Sequence, residues 1–477
     1  VGEGGGRDGD RTKPSRAMPG FTSPPYDPLD MFNSNAYDAT ALYALGHCCN
    51  PLGNRGVSPK ETSIAIATAG TQNDSDITGF QTTYPFLAFH YQEFHINGTP
   101  VCCDAEGTMD LEWSAAMANN IAMANTAMVY MYDGADATNS TFTAAYNQIL
   151  SDNLARVFST SWGAAEIDAV PQSVMDTDHG IFNAMIGQGW TLVAFSGDWG
   201  ATSWSGSGCT TQDAVTYPGS DPNVVSAGGS ALELYTGPTF IYEAAWTGGN
   251  AGCFANDGGS GGGVSAYYAA PSYMALPSGS KRPVPDIALN ADSLNYPQNF
   301  YFNGSLSGTG GGTGIVAAEV AGFFAQANAY LLYVGSLTGG CSGAPCAPLG
   351  NGDWYLYFFG LQPHLAPHYP FYDITSGCNN NDATRAALSL LRHHFGLQQQ
   401  RRYARQSPEL LLRRPGPRPG HRLGIVQFPA IGLGHQFRLG GRLPNALQSS
   451  TLCVGITILK VVQEYDGIPR QALLPTG

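Results

Sequence analysis

Two carboxylates, Glu106 and Asp110, stand four residues apart in Ala105-Glu-Gly-Thr-Met-Asp-Leu-Glu-Trp113. On a helix this spacing places both on one face, about one turn apart. Two carboxyls held close cannot both ionise readily, so one keeps its proton to higher pH. A pair that shares a proton can act first as general base and then as general acid. A solvated acidic helix face has the same spacing and is the commoner fate of such a pair, so spacing alone favours the plainer reading. Glu112 faces elsewhere, and Asp104 precedes the helix. A third carboxylate, Asp198, lies in Phe195-Ser-Gly-Asp-Trp-Gly200 at the end of an apolar run. A buried, protonated aspartate there can donate a hydrogen bond to a developing oxyanion. The alternative is a turn aspartate followed by glycine-type loop chemistry.

The run Ser307-Gly-Thr-Gly-Gly-Gly-Thr-Gly314 lacks the lysine of a phosphate loop and fits no G-x-G-x-x-G phrase. A glycine-rich turn that opens a helix can present a nucleophile or an oxyanion site. Its last position, Gly314, offers no oxygen. No H-E-x-x-H or C-x-x-C spacing occurs, which argues against a zinc motif. His90 and His95 lie on a Phe/Tyr-rich stretch and read as packed or surface residues rather than ligands.

Elements must bring these residues together. Apolar runs of strand character occur at Ser63–Gly70, Ala127–Asp133, Arg156–Trp162, Thr191–Phe195 and Asn223–Ala227. Helix-length segments lie at Glu106–Ala124, Thr141–Leu154, Pro171–Gly187 and Ile315–Leu332. This alternation predicts βαβ units and a parallel sheet with helices on both faces. Sites in such sheets form at the carboxyl ends of the strands.

The formal net charge is −14, unevenly distributed: 33 acidic against 9 basic residues through position 384, then 3 against 13. The acidic part is a poor nucleic-acid binder. It also has few ion pairs to lose in acid. Ten cysteines and sequons at Asn73, Asn97, Asn139 and Asn303 point to a secreted or luminal protein with disulfides. No apolar stretch reaches the roughly 20 residues of a membrane span. No signal peptide is visible, so the start of the gene product is expected to be missing or removed. Residues 1–25 read as a linker or propeptide remnant, and 26–384 as one globular domain. Residues 385–477 are Arg/Pro-rich at first and read as a basic tail or as translation out of frame.

Taken together, these segments resemble the sedolisin family of serine-carboxyl peptidases from about Tyr26 to Asn381. Glu106–Asp110 matches its Glu-x-x-x-Asp pair. Ser159-Thr-Ser-Trp-Gly163 with Glu166, Ser196-Gly-Asp198, Tyr217-Pro218, Gly261-Gly-Gly-Val-Ser265 and Val284-Pro-Asp-Ile-Ala288 follow in the family's order. The resemblance implies a subtilisin-like α/β fold and a monomeric endopeptidase working on peptides or proteins in acid. Glu106 would carry the serine's proton, Asp110 would orient Glu106, and Asp198 would stabilise the oxyanion. Trp162 would line the substrate cleft. A calcium ion would bind Asp373 through its carboxylate and Ile374 through its carbonyl. Two departures stand out. Gly314 occupies the position of the family's nucleophilic serine, with Ala318 at the position of its proline. The second half of the calcium phrase is missing after Asn381. Thr313 and Ser307 are poorly placed to substitute for the nucleophile.

Overall fold

The computed structural model describes residues 24–32, 36–37, 60–85, 87, 89–119, 127–210, 212–234, 241–249, 258–338, 348–361, 371–374, 376–377, 379 and 456–459. Most of the N-terminal linker and of the basic C-terminal segment therefore lies outside the described residues. Within that segment, Ile456–Leu459 pairs antiparallel with Phe371–Ile374.

Short, mostly apolar runs make the central sheet, with the more polar strand Phe89–Ile96 at its edge. They are β1 (Ile64–Ala69), β2 (Phe89–Ile96), β3 (Ala127–Gly134), β4 (Val157–Thr160), β5 (Thr191–Phe195), β6 (Val224–Leu234), β7 (Ile241–Ala245) and β8 (Ile287–Asn290). Their order is β8-β6-β5-β4-β1-β3-β2, with β7 antiparallel beside β6 and all other pairs parallel. The order reverses around β1, which lies between β3 and β4. The carboxyl end of a sheet near such a reversal is where a crevice opens.

Alternation along the strands feeds two cores. Ile64, Ile66, Val129, Met131, Val157 and Val193 face one layer of helices, α2 (Ala105–Ala118) and α5 (Gly312–Thr338). Ala65, Ala67, Tyr132, Phe158, Leu192 and Ala194 face the other, α3 (Asn139–Asp152) and α4 (Gln172–Gly187). This is the subtilisin-like α/β arrangement with helices on both faces. The helix α1 (Asp74–Thr83), the strand β2 and the strand β8 add to the predicted elements. The predicted helix to Ala124 ends earlier, at Ala118 with Asn119 as its cap.

Helix α2 is buried along Gly107–Met117, so it packs on all sides rather than along one stripe. A Cβ on Gly322 of α5 would fall 2.7 Å from the Ser114 carbonyl oxygen of α2. Glycine there lets the two helices touch along Glu106, Asp110 and Ser114 on one side and Gly314, Ala318 and Gly322 on the other.

The family-like phrase around Asp286 is structural. Arg282, fully buried, grips both carboxylate oxygens of Asp286 at 2.6 Å and reaches Asp353 of α6 (Gly352–Gly360) at 3.2 Å. Asp286 also accepts the Ser226 backbone N–H at 2.7 Å, which ties β8 to β6. Among the described residues these are the only Lys/Arg–carboxylate pairs, as the acidic composition predicts.

Candidate active site

The carboxylate pair owes its place to a helix start. Asp104 caps α2, its side chain accepting the Gly107 N–H at 2.6 Å. Such a cap satisfies a donor that the first turn leaves free. Glu106 then sits in the first turn at the cleft and Asp110 one turn deeper, fully buried. Asp110 Oδ1 accepts a hydrogen bond from Ser161 Oγ at 2.8 Å, while its Oδ2 has no partner among the described residues. Burial holds the Glu106 carboxyl well above the usual range, and the charges of Asp110, Asp198 and Asp104 push the same way. Burial also raises Asp110, against the opposing bond from Ser161.

Asp198 follows β5 across Gly197, whose φ of +100° suits glycine. Its Oδ1 accepts the Thr313 backbone N–H and the Thr313 hydroxyl, each at 2.7 Å. Burial raises its pKa in spite of these two bonds. Its other oxygen faces Gly312, where a Cβ would come within 2.7 Å; φ at Gly312 is +83°. Position 312 therefore requires glycine twice over.

Position 314 does not. Gly314 is absent from the positive-φ glycines, so its backbone accepts any L residue. A Cβ there would land on Glu106 Oε1 and lie 3.1 Å from Ser161 Cβ. The glycine is thus in direct contact with the carboxylate pair.

Trp162 follows β4 and lines the same cleft of about 950 Å³ with Glu106, Asp198, Trp199, Trp204 and Tyr217. Its indole N–H donates to Thr68 Oγ1 at 3.1 Å. The structure therefore brings Glu106 against Gly314, holds Asp110 through Ser161 behind it, and sets Trp162 and Asp198 on the same cleft as Glu106. Thr313 is turned to Asp198 and is fully buried, and Ser307 bonds to Thr309 in an exposed hairpin. Glu166 accepts from Ser265 Oγ at 2.8 Å and from the Ala266 N–H, so it fastens a loop. Asp373 and Ile374 lie on the strand Phe371–Ile374; the Asp373 side chain is outside the described residues.

Sequence reading did not single out Ser161, and it weighed Thr313 only as a substitute nucleophile, not as the partner of Asp198. The signal for Ser161 was its place directly after a strand that ends in the crevice. Thr313 carried no such signal, because its partner is 115 residues away.

The buried acids have a measurable consequence. Glu106, Asp110, Glu112, Glu319 and Asp353 lie well above the usual range, and Asp133 and Glu243 are pushed up to about 8, in each case chiefly by burial. The folded state then binds more protons than the unfolded one, so stability falls as pH rises from about 4 towards 8. The thermal midpoint is expected to be higher at pH 4 than at pH 8; the reverse order would contradict these burials.

Sedolisin of Pseudomonas sp. (strain 101) is 31% identical over 192 residues, covering 39% of this chain and 32% of that protein. Xanthomonalisin of Xanthomonas sp. (strain T-22) is 31% identical over 214 residues, covering 40% of this chain and 26% of that protein. The matches thus span about a third or less of these curated relatives. No family model matches the chain. The solved structure of Pseudomonas sedolisin, a serine-carboxyl proteinase complexed with two molecules of pseudo-iodotyrostatin, superposes with a TM-score of 0.55 at 23% identity. It covers 76% of this chain and 93% of that one. The chain is thus similar in sequence to sedolisin and xanthomonalisin over about two fifths of its length, and it shares the fold of sedolisin.

Proposed function

We propose that this chain is a sedolisin-type peptidase domain whose cleft binds peptides in acid and whose carboxyls are arranged to serve a nucleophilic serine that Gly314 replaces in this chain. The observation that carries the reading is the contact of Gly314 with Glu106 beside Asp110 and Asp198. With a hydroxyl at 314, Glu106 would take its proton during attack on the peptide carbonyl and return it to the departing amine. Asp110 would share charge with Glu106. Protonated Asp198 would donate to the carbonyl oxygen as it becomes an oxyanion. Glycine supplies no nucleophile, and this favours a second reading of the chain as it stands: peptide binding without turnover.

Calcium belongs to the same proposal, with Asp373 and Ile374 as donors. Two donors fall short of the six to eight oxygens the ion takes, so they form part of a site and no catalytic step depends on them here. A secreted or luminal setting fits the acid chemistry, and no helix among the described residues is long and apolar enough to cross a membrane.

The test is peptide binding at pH 4, followed by tryptophan fluorescence because Trp162, Trp199 and Trp204 line the cleft. Saturable binding to a mixed peptide substrate is expected, weakened about ten-fold by Trp162→Ala, in keeping with roughly 1–3 kcal/mol for a buried aromatic contact. No affinity at any pH would remove both readings.

A further inference from the structure

We propose that Glu93, His95 and Asp133 form a binding site for a first-row divalent cation of the zinc class at the carboxyl ends of β2 and β3. Parallel register sets His95 beside Asp133, and Glu93 lies two residues earlier on the same face as His95. One ligand atom from each of the three lies within 4.8 Å of the others. Bonds of about 2.0–2.2 Å to a shared tetrahedral ion set ligand atoms about 3.3–3.6 Å apart, so side-chain rotations that draw the three together by somewhat over an ångström would close the site.

A second observation points to a ligand. Asp133 is fully buried, and neither of its carboxylate oxygens has a hydrogen-bond partner among the described residues. The amide of Gln72, 5% exposed, lies beside Asp133 without making a hydrogen bond of normal geometry to it. A buried carboxylate without partners is costly, and coordination is one of the few ways to satisfy it. His95 is exposed, which leaves a path for the ion and a position for water as a further ligand.

The donor set selects the metal. One imidazole with two carboxylates suits zinc or cobalt better than calcium or magnesium, which take oxygen alone. Three protein ligands with an open fourth position match the coordination of an accessible zinc ion. The site also adjoins the carboxylate helix. Thr68 is in register with Asp133 and holds the Trp162 indole, and a Cβ on Gly107 would lie 2.6 Å from Gln72 Nε2. An ion here would brace the first turn of α2 through Gln72 on the side of Gly107. Sequence reading set His95 aside as a ligand because it lies on a Phe/Tyr-rich stretch, and its neighbour Asp133 comes from another strand.

The experiment is calorimetric titration of the tag-free, chelator-treated full chain with zinc chloride at pH 7, calcium being present to fill oxygen-only sites. Cobalt absorption in the visible range reports imidazole coordination. One equivalent with micromolar affinity is expected, weakened at least ten-fold in His95→Gln and in Glu93→Gln. Neither of these positions is buried, so both variants should fold. Absence of saturable binding overturns the proposal, and so does binding that both variants retain unchanged.

Discussion

Gly314→Ser is expected to give cleavage of a quenched-fluorescent peptide at pH 4, at least 10³-fold above the unmodified chain. In serine peptidases, loss of the nucleophile costs roughly 10⁶ in kcat, which sets the upper bound on what restoring it can return. The backbone at 314 needs no positive φ, so the new side chain brings no strain of that kind. Its Cβ claims space now held by Glu106 Oε1, the far end of a flexible side chain that can swing aside. The displaced carboxylate and the introduced hydroxyl would then be neighbours, which is the contact proton transfer needs. The activity should resist pepstatin and should depend on calcium if Asp373 and Ile374 hold that ion. A folded, calcium-supplied variant that binds peptide and cleaves none would show that position 314 does not face the scissile bond.

Adding Glu106→Gln to that variant is expected to lower kcat by about 10²- to 10⁴-fold with little change in KM, since the amide keeps the shape of the side chain and loses only its ability to take a proton. The pH profile carries the finer information. The pair must release a proton before Glu106 can act as base, so activity falls on the acid side. Asp198 must keep its proton to donate, and burial raises its pKa, so activity falls again as pH climbs through that raised value. Asp198→Asn donates at every pH and should move the alkaline limb upward while leaving the acid limb in place. Equal loss at all pH values would instead assign Asp198 to holding Thr313.

The sheet was legible from residues alone. Thr191–Phe195 forms a strand over the predicted range, and Ala127–Asp133 differs by one residue, because short apolar runs between glycines and polar turns have few other uses. β2 was missed, since its pattern of Phe, Tyr, His and Glu is that of an edge strand with polar residues turned outward. Helix α2 was placed two-thirds correctly and overrun at its end, where Ala-rich sequence continues and only the Asn119 cap marks the stop.

The candidate site divides along the same line. Residue types and spacing alone determined that Glu106 and Asp110 share a face, that Asp198 ends a strand, and that no oxygen stands at 314. Each is a local property, fixed by helix period, strand length or a missing side chain. Only the tertiary structure decided between an acidic surface patch and an inward-facing pair with Asp110 fully buried, because burial depends on what packs against α2. That packing comes from α5, some 200 residues later, and it brings Gly314 against Glu106 and Thr313 against Asp198. Spacing in sequence carries no information about such approaches; close packing of two helices through Gly322 does.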